Sequence, residues 1–213
     1  MQRDLLDALR CPAVHDESWL VAVVHSASGS ALIEAELACP VCGAEYRITQ
    51  GIAEFAHNGG GAPMGTVHGA PPRPDQSLRM AALMGVTDSH LPIALFGRCA
   101  AMSEPLTHFV TAPQLLVNAR GVPGAVGASR ITVSDRLPLG VGTLAAAAAD
   151  DAHASAAMLD SVARALRIGG RLVAPVSVPV PPGMREIARD AAEWVAETTT
   201  RASGLIELRR RAP

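Results

Sequence analysis

Cys11, His15, Cys39 and Cys42 are the residues of this 213-residue chain whose types and spacing point most directly to chemistry. They occur as Cys-Pro-Ala-Val-His and, after a spacer, as Cys-Pro-Val-Cys-Gly. Two short ligand pairs separated by a β-rich stretch suit a tetrahedral zinc ion: each pair makes a tight knuckle, and the spacer brings the knuckles face to face. Thiolate sulfur is a soft, charged ligand, and the small Pro and Gly neighbours permit the turn. His15 stands one residue further from Cys11 than Cys42 stands from Cys39, a difference the longer imidazole arm absorbs. A unit this small rarely builds enough core to fold alone, so a structural metal also meets an energetic need. Three other readings compete. Cys39 and Cys42 have the spacing of a redox pair, but such pairs open a helix after a strand, whereas Gly43 and the alternating Glu45-Tyr-Arg-Ile48 point to a turn into a strand. His15 could be an ordinary surface histidine, or the whole site a vestige that folds without zinc. Metal is preferred to all three.

Elsewhere the search for chemistry returns less. No Gly-x-Ser-x-Gly elbow occurs, and a chain without lysine has no Walker-type Gly-Lys pair. Asp150, Asp151 and His153 cluster after a strand and read as caps of the following helix, where acids favour the dipole. Cys99, beside an apolar strand, reads as a core thiol. Trp194, at helical spacing from Ile187 and Ala191, reads as core rather than a stacking platform. His57 and His68 read as solvated, and so does the terminal run Arg209-Arg210-Arg211.

These residues must be held by elements. Leu5, Leu6 and Leu9 give a short helical face leading into Cys11. Residues 19–24 and 31–37 read as strands joined by a Ser/Gly-rich turn at 26–30, and 46–48 and 52–55 as short strands around Gly51. These make up a small zinc-ribbon unit, residues 1–56. A Gly/Pro-rich linker follows at 57–75. From 76 to 213 strands and helices alternate, which argues for an α/β domain with a mostly parallel sheet. Its strands are read at 92–96, 114–118, 130–133, 142–147, 171–175 and 204–208. One helix carries Met158, Leu159, Val162, Ala165 and Leu166 and is expected to stop at Gly169-Gly170. A second helix is expected over 186–197.

Composition narrows the function classes. Hydrophobic residues are 49% of the chain but aromatics only 3%, so Ala, Val, Leu and Ile must build the core. The net charge of −2 gives no general attraction to nucleic acid or anionic membrane. The first ten residues carry Asp4 and Asp7 and lack the apolar core of a secretory signal. The longest apolar run, 144–149, is far below the ~20 residues that span a bilayer. A reducing cytoplasm, where metal ligation explains cysteines better than disulfides do, is the expected compartment.

Two resemblances sharpen this. Leu5-Leu-Asp-Ala-Leu-Arg-Cys-Pro12, with Cys39-Pro-Val-Cys-Gly43 and Tyr46-Arg-Ile-Thr-Gln-Gly-Ile52, resembles the small zinc-ribbon family that activates tRNA, ribosomal and release-factor methyltransferases. The likeness covers the first quarter of the chain. That family's first pair is normally Cys-Pro-x-Cys, and here its second cysteine is absent. The resemblance implies that the ribbon stabilises a protein partner, a methyltransferase or a second copy of the chain.

The later half is similar to class I S-adenosylmethionine (SAM)-dependent methyltransferases, which implies a Rossmann-like sheet. Ser134-Asp-Arg-Leu-Pro-Leu139 and Leu166-Arg-Ile-Gly-Gly-Arg-Leu-Val173 carry the likeness, with Ile168 replacing the usual proline. The family's cofactor loop corresponds to Ala94-Leu-Phe-Gly-Arg-Cys-Ala-Ala-Met102, where only Gly97 remains of its glycines, no acid precedes it, and Arg98 and Met102 would crowd the site. Asn118, Ala119 and Arg120 stand where the family presents an acid to the ribose. Gly97 and Asp135, the latter at the adenine position, are the cofactor-contact candidates that the resemblance leaves. The expectation is a non-catalytic interaction protein that binds zinc and binds SAM weakly or not at all. The alternative is a divergent methyltransferase acting on RNA, protein or a small molecule. A filled or open crevice after the first parallel strand separates the two.

Overall fold

Alternation of apolar and polar side chains builds the first end of the sheet. In the computed structural model, which describes residues 1–56, 72–119 and 121–200, β1 (Val21–Ser28) and β2 (Ala31–Ala38) form an antiparallel hairpin. Gly29 turns it with a φ of +58°, a conformation that costs glycine nothing. β3 (Glu45–Thr49) and β4 (Ile52–Glu54) continue the meander. Ala35 and Leu37 of β2 and Tyr46 and Ile48 of β3 are buried in one core. A 3-10 helix, Arg3–Ala8, adds Leu5 to it.

Continuous apolar runs build the middle. β5 (Ile93–Phe96), β6 (Gln114–Val117) and β8 (Leu144–Ala148) are buried at every residue, as strands covered on both faces must be. With β7 (Ser129–Thr132) and β9 (Leu166–Pro175) they form the parallel part of the sheet. α1 (Pro74–Met84) and α2 (Ser103–Leu106) cover one face, where Met80, Met84 and Leu106 join Ile93, Leu95 and Leu116. α3 (Ala156–Ala165) covers the other, where Met158, Leu159 and Val162 join Phe96 and Leu172. No helix among the described residues is long and apolar enough to cross a membrane.

All the strands belong to one mixed sheet. Its order is β1-β2-β3-β4-β7-β6-β5-β8-β9, closed by β11 (Glu193–Thr198) and β10 (Met184–Arg189). The junction is a parallel pairing of β4 with β7, Ile52 opposite Arg130 and Glu54 opposite Thr132. The first 56 residues therefore form one end of a continuous sheet and share its core with Leu115, Val117 and Ile131.

Two elements differ from expectation. Residues 186–197 are not a helix but the antiparallel pair β10–β11. Asp190 Oδ1 accepts the N–H groups of Ala192 and Glu193 and so fixes the turn. Alternate side chains of β11 then enter the two cores, Trp194 and Ala196 on one face and Val195 on the other, while Ile187 of β10 is exposed. Trp194 is fully buried, with its Nε1 donating to the Val178 carbonyl at 2.8 Å. The second difference is the glycine pair. α3 ends at Ala165, and Gly169 and Gly170 lie inside β9. A Cβ on Gly170 would stand 2.8 Å from the Arg167 carbonyl oxygen and 3.0 Å from that of Ala145, at an irregularity in the β8–β9 register. The expected strand at 204–208, the linker histidines His57 and His68, Arg120 and the terminal arginine run lie outside the described residues.

Candidate metal centre and switch-point crevice

The first knuckle is tied down by the Cys11 N–H, which donates to the Ser18 carbonyl at 3.0 Å. In the second, the Gly43 N–H donates to the Cys39 carbonyl and the Cys39 N–H to that of Ala44, with Gly43 at a φ of +70°. The β1–β2 hairpin returns the chain so that the two knuckles meet. The ligand atoms of Cys11, His15, Cys39 and Cys42 all lie within 4.8 Å of one another. Cys11 Sγ is 3.7 Å from Cys42 Sγ, and Cys39 Sγ is 3.5 Å from His15 Nε2. A tetrahedral ion with metal–sulfur bonds of ~2.3 Å and metal–nitrogen bonds of ~2.0 Å sets these edges at about 3.8 and 3.5 Å. Two of the edges match a tetrahedral ion, and the remaining separations stay within 4.8 Å, so the four side chains can hold one ion.

The surroundings of His15 and Cys39 favour the ligating forms, whereas those of Cys11 oppose its thiolate. His15 Nδ1 lies 2.5 Å from the Asp16 carbonyl oxygen, which places the proton on Nδ1 and frees the Nε2 lone pair for a metal. The Tyr46 hydroxyl sits 3.4 Å from Cys11 Sγ, where it can donate to a thiolate. Burial opposes ionisation of Cys39, but the N–H groups of Cys42 and Val41 and the thiols of Cys42 and Cys11 outweigh it and bring its pKa down to about 6. Burial pushes the Cys11 thiol up. Tyr46 is a contributor that sequence reasoning did not single out, since its only signal there was alternation in a strand.

The second region of interest is the topological switch point. β5 is followed by β6 and β7 on one side and by β8 on the other, and open α/β sheets take ligands where the strand order reverses in this way. Here that position is filled from within. Gly97, at a φ of +50°, opens a 3-10 helix (Gly97–Met102), and a Cβ on it would stand 2.4 Å from both Asp150 Oδ2 and His153 Nδ1. Asp150 Oδ2 accepts the Arg98 N–H at 2.7 Å, and Asp150 Oδ1 is 2.6 Å from His153 Nδ1. The Arg98 guanidinium lies over the pair, 3.2 Å from Asp151 and 3.6 Å from Asp150. Both Asp150 and His153 are buried, and His153 Nε2 has no hydrogen-bond partner among the described residues. Burial would raise the Asp150 pKa, but His153 and the Arg98 N–H overcome it and hold the carboxyl below its ordinary value.

Asp150 and His153 stand against Gly97. One expectation is corrected: the acids do not cap the next helix, since α3 is capped by Ser155, whose Oγ accepts the Met158 N–H at 3.2 Å. Asn118, at a φ of +53°, uses its whole amide between strands: Oδ1 accepts the Val133 N–H and Nδ2 donates to the Val133 carbonyl. Asp135 is exposed on the bend at 134–136. Cys99, mainly through burial, has its thiol pushed up to about 12 and stays unreactive. A separate cavity of about 320 Å³ lies between α3 and the end of β11, lined by Asp160, Arg164, Leu166, Met184 and Thr198.

Fold and site together define the class: a mixed sheet with a parallel, Rossmann-like centre, carrying at one end three cysteines and a histidine that can hold a metal ion. No protein-family model matches the chain, and no curated protein matches its sequence. Solved structures similar to part of the chain include methyltransferases. A geranyl diphosphate methyltransferase shares 16% identity over 47% of this chain and 44% of that one, with a TM-score of 0.39. The geranyl diphosphate C-methyltransferase of Streptomyces coelicolor shares 13% over 53% and 51%, with a TM-score of 0.40. A tRNA methyltransferase of Aquifex aeolicus shares 12% over 64% and 74%, with a TM-score of 0.44. The chain spans about half the length of the geranyl diphosphate enzymes it matches.

Proposed function

We propose that this chain is a zinc-binding, non-catalytic interaction protein of the cytoplasm, in which a metal-pinned ribbon and a methyltransferase-like sheet together form a scaffold for a protein partner. Zinc is the ion that best suits three thiolates and an imidazole at tetrahedral spacing in a reducing compartment. With four protein ligands and no open position, its role is to hold the knuckles.

The observation that carries the non-catalytic reading is the Asp150 carboxylate on the Arg98 N–H beside Gly97. A backbone donor that could meet the polar end of a ligand already has an internal acceptor, and His153 fills the space next to it. A ligand entering there would have to displace a buried ion pair, and Asn118 offers no carboxylate to a ribose.

Titration calorimetry of the zinc-loaded chain with SAM and with its demethylated product tests this. The expected result is a Kd of ~1 mM or weaker for both. Micromolar binding, or cofactor retained through purification, would overturn the reading in favour of a divergent methyltransferase.

A further inference from the structure

A sheet of this kind has two edges, and the two are built differently. At one end β10 carries Arg185, Glu186 and Arg189, with Arg189 paired to Glu186. Charge on an edge strand discourages another chain from pairing with it. At the other end β1 has no arginine, aspartate or glutamate from Val21 to Ser28 and, among the described residues, pairs only with β2. Val21 and Val23 are 57% and 54% exposed and, two residues apart, share a face. A bulge between Val24 and Ala27 bends the far half of the strand, leaving Val21–Val24 as its straight length. Trp19, which Arg10 overlies at 4.3 Å from the ring centroid, extends the exposed apolar strip toward the knuckles. The ribbon's other edge, β4, is already consumed by β7.

Charge then says what can sit there. Opposite Val23 is Glu36, which faces Arg47 on its other side and lies 3.7 Å from His25; opposite Val21 is Ala38, and beyond Ala38 is Glu45, so the valines look out over exposed glutamates. Residues 1–56 hold three arginines against eight acids, a net charge of −5, whereas residues 57–213 hold fifteen arginines against twelve acids, a net charge of +3. A second acidic ribbon would be repelled, and so would a nucleic acid.

We propose that β1 is a docking edge for an extended, basic segment of another protein. The segment adds a strand along Val21–Val24, beyond the Arg10–Trp19 bridge: its backbone satisfies the free edge, its alternate apolar residues pack beside Ala22 and Val24, and its arginine stems cross Val21 and Val23 toward Glu36 and Glu45. The proposal rests on the interaction-protein reading above and gives that reading a surface.

A fluorescent nine-residue peptide of alternating valine and arginine is the probe, with a valine–glutamate peptide of equal length as control, each titrated into the full zinc-loaded chain by anisotropy. The valine–arginine peptide is expected to bind, more weakly as salt rises, and the control to fail. Glu36→Arg, at an exposed position, should weaken valine–arginine binding by about tenfold and admit the valine–glutamate peptide. Val23→Arg should abolish binding of the valine–arginine peptide while metal content and melting stay as in the parent. No binding, equal binding of both peptides, or indifference to Glu36→Arg overturns the proposal. So does a dimer seen by light scattering that Val23→Arg dissociates, since the edge would then belong to a second copy. None of these outcomes bears on SAM binding, so the surface and the non-catalytic reading fail separately.

Discussion

Asp150 serves the fold as an internal ligand, accepting one backbone N–H and one imidazole while buried at the head of the sheet. Its pKa is held down in the folded state, so the stability it contributes is fully present above its ordinary value of about 3.8 and is lost as pH falls through the lower folded value. Asp150→Asn should therefore destabilise the chain by ~1–3 kcal/mol at pH 7. The gap to the parent should shrink below about pH 4, as denaturant titrations at both pH values will show. At the metal centre the residues are unequal. Cys39→Ser removes a buried thiolate and should leave less than one zinc per chain by elemental analysis, with loss of structure in the ribbon. His15 lies in an irregular, partly exposed loop, where water can take its place, so His15→Ala should retain metal with reduced affinity.

At the scale of elements, Asn118 shows how one side chain joins two strands. It leaves β6 in a left-handed conformation and pairs both amide groups with Val133, just past β7. Asn118→Asp, the change that would supply a ribose acid, removes the donor to the Val133 carbonyl and buries a charge. It should cost ~1–3 kcal/mol in a denaturation midpoint and still not confer SAM binding. The same scale shows what the sequence could reveal. Strands β5 to β8 were legible to within about two residues because unbroken apolar runs between turn residues have few other readings. The pair β10–β11 was not, since Ile187, Ala191 and Trp194 happen to fall at helical spacing, and only the Asp190 turn discloses the true period. The converging knuckles were legible from Cys and His spacing. The Asp150–Arg98 contact was not, because it joins residues 52 apart through the parallel order of β5 and β8.

For the molecule as a whole, the β4–β7 pairing and the shared core tie the Cys/His end to the α/β end. The two tryptophans sit one on each side of that junction, Trp19 exposed near the knuckles and Trp194 buried on β11. Trp19→Phe and Trp194→Phe variants therefore give two single-probe proteins. Their urea transitions should coincide with metal bound, as in one cooperative unit, and separate under a strong chelator, with the Trp19 signal lost first. Coincident transitions under chelation would show that the sheet, without the metal, is enough to hold the ribbon.

The junction also has a meaning in time. Strands β1 to β4 pair with sequence neighbours, so on the ribosome they can close and capture metal once residue 56 has emerged. The partner of Glu54 is Thr132, 78 residues later. At 5–20 residues per second, the outer side of β4 waits roughly 4–16 s for its neighbour. Over that interval the nascent chain presents β1 and β4 as two open edges, and among the described residues only β4 is later covered by the chain itself.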